Sequence, residues 1–137
     1  MSDPEPSVRL EGVADLRFVD ALLDELDRLW GRHPELGAED AYLFTLAVAE
    51  VATNVVQHSG GEREVRLLVR VTVTETRLLA TVQDDAAPFR MEGIGPMPDA
   101  GSESGRGLAL TDAVLDEFTH AAGSPSGNTW SLARARR

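Results

Sequence analysis

Residues 47–61, AVAEVATNVVQHSGG, carry Glu50, Asn54 and His58 four positions apart in a mostly apolar run that stops on two glycines. Four residues is just over one helical turn, so the three side chains line up along one face. Burying a carboxylate and an amide among valines and alanines is costly unless something satisfies them. The stretch therefore predicts a helix that is packed against a core and carries a chemical task along one side. His58 stands at the helix end, where the dipole favours a histidine without any further role.

The composition limits what that task is. The chain has 137 residues, 42% of them hydrophobic and 26% charged, which fits one globular domain. It has no cysteine, so a disulfide framework and a cysteine metal site are excluded. No apolar run reaches the roughly 18 residues of a membrane span, and the start, MSDPEPSVRL, is acidic rather than signal-like. A cytoplasmic domain, with residues 1–7 disordered, is expected. The net charge is −10 with no compensating basic cluster, so direct binding to nucleic acid is not expected. All 13 basic residues are arginine. A Walker-type phosphate loop and a lysine-dependent kinase fold are therefore both excluded.

Outward from the opening stretch, VRLEG (8–12) reads as a short strand. Leu16, Val19, Leu22, Leu23, Leu26, Leu29 and Trp30 recur at helical spacing, and residues 32–37 break that helix. The second helix spans about 38–57, with Glu39 and Asp40 in its first turn. Residues 65–73 and 76–83 alternate as a hairpin around Thr74-Glu75. Residues 92–105, EGIGPMPDAGSESG, hold four glycines and two prolines and read as a long covering loop. A third helix is expected over about 106–117, followed by strands at 118–122 and 129–133. This order predicts an α+β, two-layer sandwich: one mixed, mostly antiparallel sheet with helices on one face.

Four places carry candidate chemistry. Asn54 offers a neutral oxygen suited to Mg²⁺, which takes its other ligands from water and phosphates. Glu50, one turn away, suits a general base for a hydroxyl attacking a γ-phosphate. Asp84 ends an apolar strand, as a turn residue or as an acceptor for an exocyclic amino group. Gly105-Arg106-Gly107-Leu108 opens a helix after the glycine-rich loop, where backbone N–H groups and the dipole attract anions. Gly127-Asn128-Thr129 opens the last strand, either as a plain turn or by offering the Thr129 hydroxyl to an aspartate on a neighbouring strand.

Taken in order, these places resemble the nucleotide-binding domain of the GHKL superfamily, and within it the anti-sigma-factor serine/threonine kinases. AEVATNVVQH looks like the N box, VQDDAAPF like the first glycine box, SGRGLAL like the second, and SGNTWSL like the threonine-bearing final strand. The resemblance spans about residues 8–134 and implies the Bergerat ATP-binding fold over the whole chain, 1–137. It implies ATP or ADP with Mg²⁺ as cofactors, Glu50 as general base, Asn54 as metal ligand and Asp84 as adenine reader. Gly105, Arg106, Gly107 and Leu108 would surround the phosphates, Thr129 would support Asp84, and residues 92–105 would form the lid. The partners it implies are a sigma factor, a STAS-type anti-anti-sigma protein and a second copy of the chain. One departure stands out: Ala86 occupies the glycine position of the first glycine box. If that backbone needs a positive φ or close approach to adenine, alanine costs roughly 1 kcal/mol or more. A non-catalytic module that sequesters a regulator with weak ATP binding is the alternative.

Overall fold

The computed structural model describes residues 7–58, 64–86, 103–123 and 127–137, with side chains from 108 onward in the third segment. The elements run β1 (Val8–Val13), α1 (Leu16–Gly31), α2 (Ala38–His58), β2 (Arg66–Val73), β3 (Arg77–Asp84), α3 (Glu103–Val114), β4 (Glu117–Ala122) and β5 (Asn128–Ala135). The five strands form one sheet in the order β1-β2-β3-β5-β4. The α+β sandwich with a mostly antiparallel sheet is as expected, and all four strand pairings are antiparallel, with no parallel pair among the described residues.

Period-2 alternation assigns the two faces of the sheet. Leu67, Val69 and Val71 on β2, Leu78, Ala80 and Val82 on β3, and Trp130 and Leu132 on β5 are buried. Their strand neighbours Arg70, Gln83 and Ser131 face away from this core. The helices cover the buried face, α2 lying against β3 and β5, with α1 and α3 flanking it. Helix α1 starts where the Asp15 carboxylate accepts the Phe18 N–H at 3.0 Å, satisfying a donor of the first turn. It buries Phe18, Leu22, Leu26 and Leu29, one stripe at helical spacing. Trp30 closes the α1–α2 contact, donating Nε1–H to Thr45 Oγ1 at 2.7 Å and meeting Phe44 edge-on.

Strand boundaries shift by one or two residues from expectation, and there are three other differences. Of residues 1–7, expected to be disordered, 1–6 lie outside the described residues, while the Ser7 N–H donates to Val71 O at 2.8 Å, extending the β1 pairing. Helix α3 runs from 103 to 114 instead of 106 to 117. Its end is fixed from outside, because Arg134 Nη1 donates to Val114 O at 2.7 Å, and Asp116 N–H already bonds Ala133 O at 2.8 Å. Of the expected lid, 92–102 lies outside the described residues, while 103–105 are helical backbone.

Candidate nucleotide site

Helix α2 places Asn54 and Glu50 on its flank rather than on its wet side. Asn54 is 4% exposed, and Glu50, one turn earlier, is half-buried. Both the Oδ1 and Nδ2 atoms of Asn54 are buried without a hydrogen-bond partner. An amide left in that state costs about 1–3 kcal/mol, and both of its polar atoms are left to a ligand.

The second part of the site ends strand β3. Leu78, Ala80 and Val82 face the core, and the same alternation carries Asp84 inward beneath the helices. Asp84 Oδ1 accepts the Ala86 N–H at 2.8 Å and Asn128 Nδ2–H at 3.0 Å. Its other oxygen, Oδ2, is buried without a partner. Burial pushes the Asp84 pKa up, and the bonds from Asn128 and Ala86 pull it partly back. The result is a rigid carboxylate with one oxygen committed and one available as an acceptor.

Thr129 does not perform the role expected of it. It pairs with Gln83, so it sits on the sheet face opposite to Asp84, whereas Asn128 is the residue directly across from Asp84. The supporting hydrogen bond therefore comes from Asn128. Gly127 makes this register possible. Its φ is +102°, and a Cβ there would come within 3.0 Å of Asp84 O. Ala86 sits without strain: among the described residues no non-glycine has a positive φ. The backbone cost feared for alanine is absent in this conformation.

The third part is the start of α3. Arg134 Nε donates to Asp40 Oδ1 at 3.0 Å while its Nη1 holds Val114 O. One guanidinium thus joins the first turn of α2 to the last turn of α3. Since the two helices pack together, they run antiparallel, and the first turn of α3 points toward the Glu50–Asn54 half of α2. Gly105, Arg106 and Gly107 lie in the first two turns of α3, beginning at Glu103, and only the N–H groups at the very start of a helix lack intrahelical acceptors. Leu108 is placed differently from expectation: its side chain belongs to the hydrophobic core, so only its backbone is left to face a ligand.

Asn128, His120, Asp40 and Arg134 were not singled out from the sequence. Asn128 was readable in principle, because pairing 84 with 128 follows from the β3–β5 register. The others depend on contacts between segments far apart in the chain.

The unpartnered atoms of Asn54 and Asp84 fit a nucleotide with a cation. Among the described residues no three His, Cys, Asp or Glu side chains converge on one point. A cation here would rely on Asn54 together with phosphate oxygens, which suits Mg²⁺. When bound, that ion would neutralise phosphate charge.

No curated protein matches the chain. The histidine kinase domain of the blue-light activated histidine kinase of Erythrobacter litoralis EL346 is structurally similar, with a TM-score of 0.56 and 20% identity. The match covers 86% of this chain and 59% of that one, so this chain spans about three-fifths of the solved domain. At that identity the likeness speaks for the fold. No helix among the described residues is long and apolar enough to cross a membrane. The profile of the histidine kinase-like ATPase domain matches residues 13–133, which includes both helices of the front end, Glu50, Asn54, Asp84, residues 105–108 and Asn128. The chain belongs to the histidine kinase-like ATPase domain family.

Proposed function

We propose that this chain is an anti-sigma factor with serine/threonine protein kinase activity, binding ATP with Mg²⁺ and phosphorylating a STAS-type anti-anti-sigma protein. The observation that carries the kinase reading is the pairing on α2 of a buried, unpartnered Asn54 with a half-buried Glu50 one turn away. In this reading Asn54 holds the cation and Glu50 accepts the proton of the attacking hydroxyl. The acceptor oxygen forms a bond to the γ-phosphorus as the bond to the β–γ bridging oxygen breaks, leaving ADP. Asp84 Oδ2 accepts from the adenine amino group, and the start of α3 meets the phosphates.

The anti-sigma assignment is supported by the four sequence boxes in order, by the two-helix front end and by the acidic charge of −10, which suits a basic partner. Pairing of two copies along the free edge of β1 is part of the same proposal. Incubation with radiolabelled ATP and a cognate antagonist is expected to label the antagonist on serine or threonine. Glu50→Ala is expected to stop that labelling while ATP binding persists. Unchanged labelling by the variant would overturn the role of Glu50.

A second reading, a regulatory module that sequesters its partner without catalysis, is favoured by the Cβ that Ala86 places at the glycine position, where the backbone would approach adenine. Calorimetry separates the two, since absence of heat and of thermal stabilisation at millimolar Mg·ATP would leave only the second.

A further inference from the structure

Asp84 is the inner end of a longer chain of hydrogen bonds. His120 Nε2 lies 2.8 Å from Asn128 Oδ1, and Asn128 Nδ2 lies 3.0 Å from Asp84 Oδ1. His120 on β4, Asn128 on β5 and Asp84 on β3 all lie on the helix-covered face of the sheet. The His120 ring rests against the buried Trp130 with centroids 5.0 Å apart and planes tilted by 39°.

The chain has one polarity. An ionised carboxylate only accepts, so the Asn128 atom facing Asp84 must be its NH₂ group. Asn128 therefore presents its carbonyl oxygen to His120, and His120 Nε2 must carry a proton. Asp84 Oδ1 already receives the Ala86 N–H, so with Asn128 both its acceptor directions are used. A proton taken up by this carboxyl would have to sit on Oδ2, the same atom that is left to read a base.

We propose that His120 is a positioning residue for base selection, acting through Asn128 to keep Asp84 an acceptor and so favour a 6-amino over a 6-oxo purine. This rests on the ATP-binding reading above. An acceptor at Oδ2 matches an amino group and repels a carbonyl oxygen, whereas a protonated Oδ2 would donate to that carbonyl. Burial favours the protonated form of Asp84, and the donors at Oδ1 oppose it. Loss of the His120 donor removes one of the bonds that orient the Asn128 amide and weakens that opposition.

The test compares ATP with inosine triphosphate, which differs in having a 6-oxo group, by calorimetry on the full chain with Mg²⁺. The wild type is expected to prefer ATP by about 10- to 100-fold, the range for a hydrogen bond to a charged group. His120→Phe keeps a ring against Trp130 but cannot donate, and is expected to lower that preference several-fold. His120→Gln, whose Nε2–H₂ can replace the ring N–H, is expected to restore it. An unchanged preference in His120→Phe would overturn the proposal while leaving ATP binding intact. Failure of the wild type to bind either nucleotide would overturn both readings. Nitrogen NMR of the wild type needs no variant: the neutral His120 ring is expected as the Nε2–H tautomer, and the Nδ1–H tautomer would overturn the proposed chain.

Discussion

Arg134 and Asp40 form an ion pair that is buried on both sides, with side chains from the two ends of the fold meeting at 3.0 Å across 94 residues. Arg134 is 5% exposed and Asp40 3%. The pair is hydrogen-bonded beyond itself: Arg137 N–H donates to Asp40 Oδ2 at 2.8 Å, and Arg134 Nη1 reaches Val114 O. Breaking one side of a buried pair strands the other charge and costs about 3–5 kcal/mol. Arg134→Met is therefore expected to lower unfolding stability by about that amount in a urea titration. The double variant Asp40→Leu with Arg134→Met is expected to regain most of it, since no charge is left stranded.

Asn54 is expected to show opposite signs for stability and function. Its two unpartnered buried atoms weigh against the folded state by about 1–3 kcal/mol. Asn54→Ala removes them at the expense of a small cavity. Its thermal midpoint without nucleotide is expected to match or exceed that of the wild type. Stabilisation by Mg·ATP, measured in the same melts, is expected to vanish.

Asp84 imposes a pH dependence on folding. Desolvation on burial raises its pKa above the ordinary 3.8, only partly offset by the bonds from Asn128 and Ala86. The folded state thus holds its proton to higher pH than the unfolded chain does, so stability falls as pH rises through that window. Below pH 3.8 the penalty is absent; above the folded pKa it is complete. Asp84→Asn removes the charge, so it is expected to be more stable than the wild type at neutral pH, with the difference shrinking on acidification. Urea unfolding at several pH values measures this, and the same variant is expected to lose its preference for adenine.

Ala86 and Gly127 are bonded neighbours with opposite requirements. Gly127 N–H donates to Ala86 O at 2.7 Å. Ala86 has an ordinary backbone, so Ala86→Gly is expected to cost about 0.4–1 kcal/mol by loosening the unfolded chain. It is expected to leave ATP affinity within about twofold; a tenfold tightening would show that the Cβ obstructs the base. Gly127 has φ +102° and almost no room for a Cβ beside Asp84 O. Gly127→Ala is expected to destabilise by more than the Ala86 change and to weaken ATP binding by displacing Asn128 from Asp84.

The apolar rhythm of the chain made most of the fold legible. Leu22, Leu26 and Leu29 at helical spacing, and Leu78, Ala80 and Val82 at spacing two, each specify an element and its buried face. Both are local patterns, so they survive without knowledge of neighbours. The end of α3 was not legible, because Leu115 and Asp116 continue a helical pattern, and the Asp116 N–H is diverted to Ala133 O on the last strand.

The site divides along the same line. Glu50 and Asn54 lie one turn apart on a single helix, so their alignment follows from the sequence alone. Asp84 at the end of an alternating strand is likewise a local fact. That Asn128 rather than Thr129 supports it was decided by strand register, since a shift of one residue exchanges the two faces of a strand. The His120 contact, the Arg134 clamp and the direction of α3 toward α2 required chain segments tens of residues apart to meet. Sequence periodicity determines which side of each element is buried; only tertiary packing determines which buried polar groups face one another.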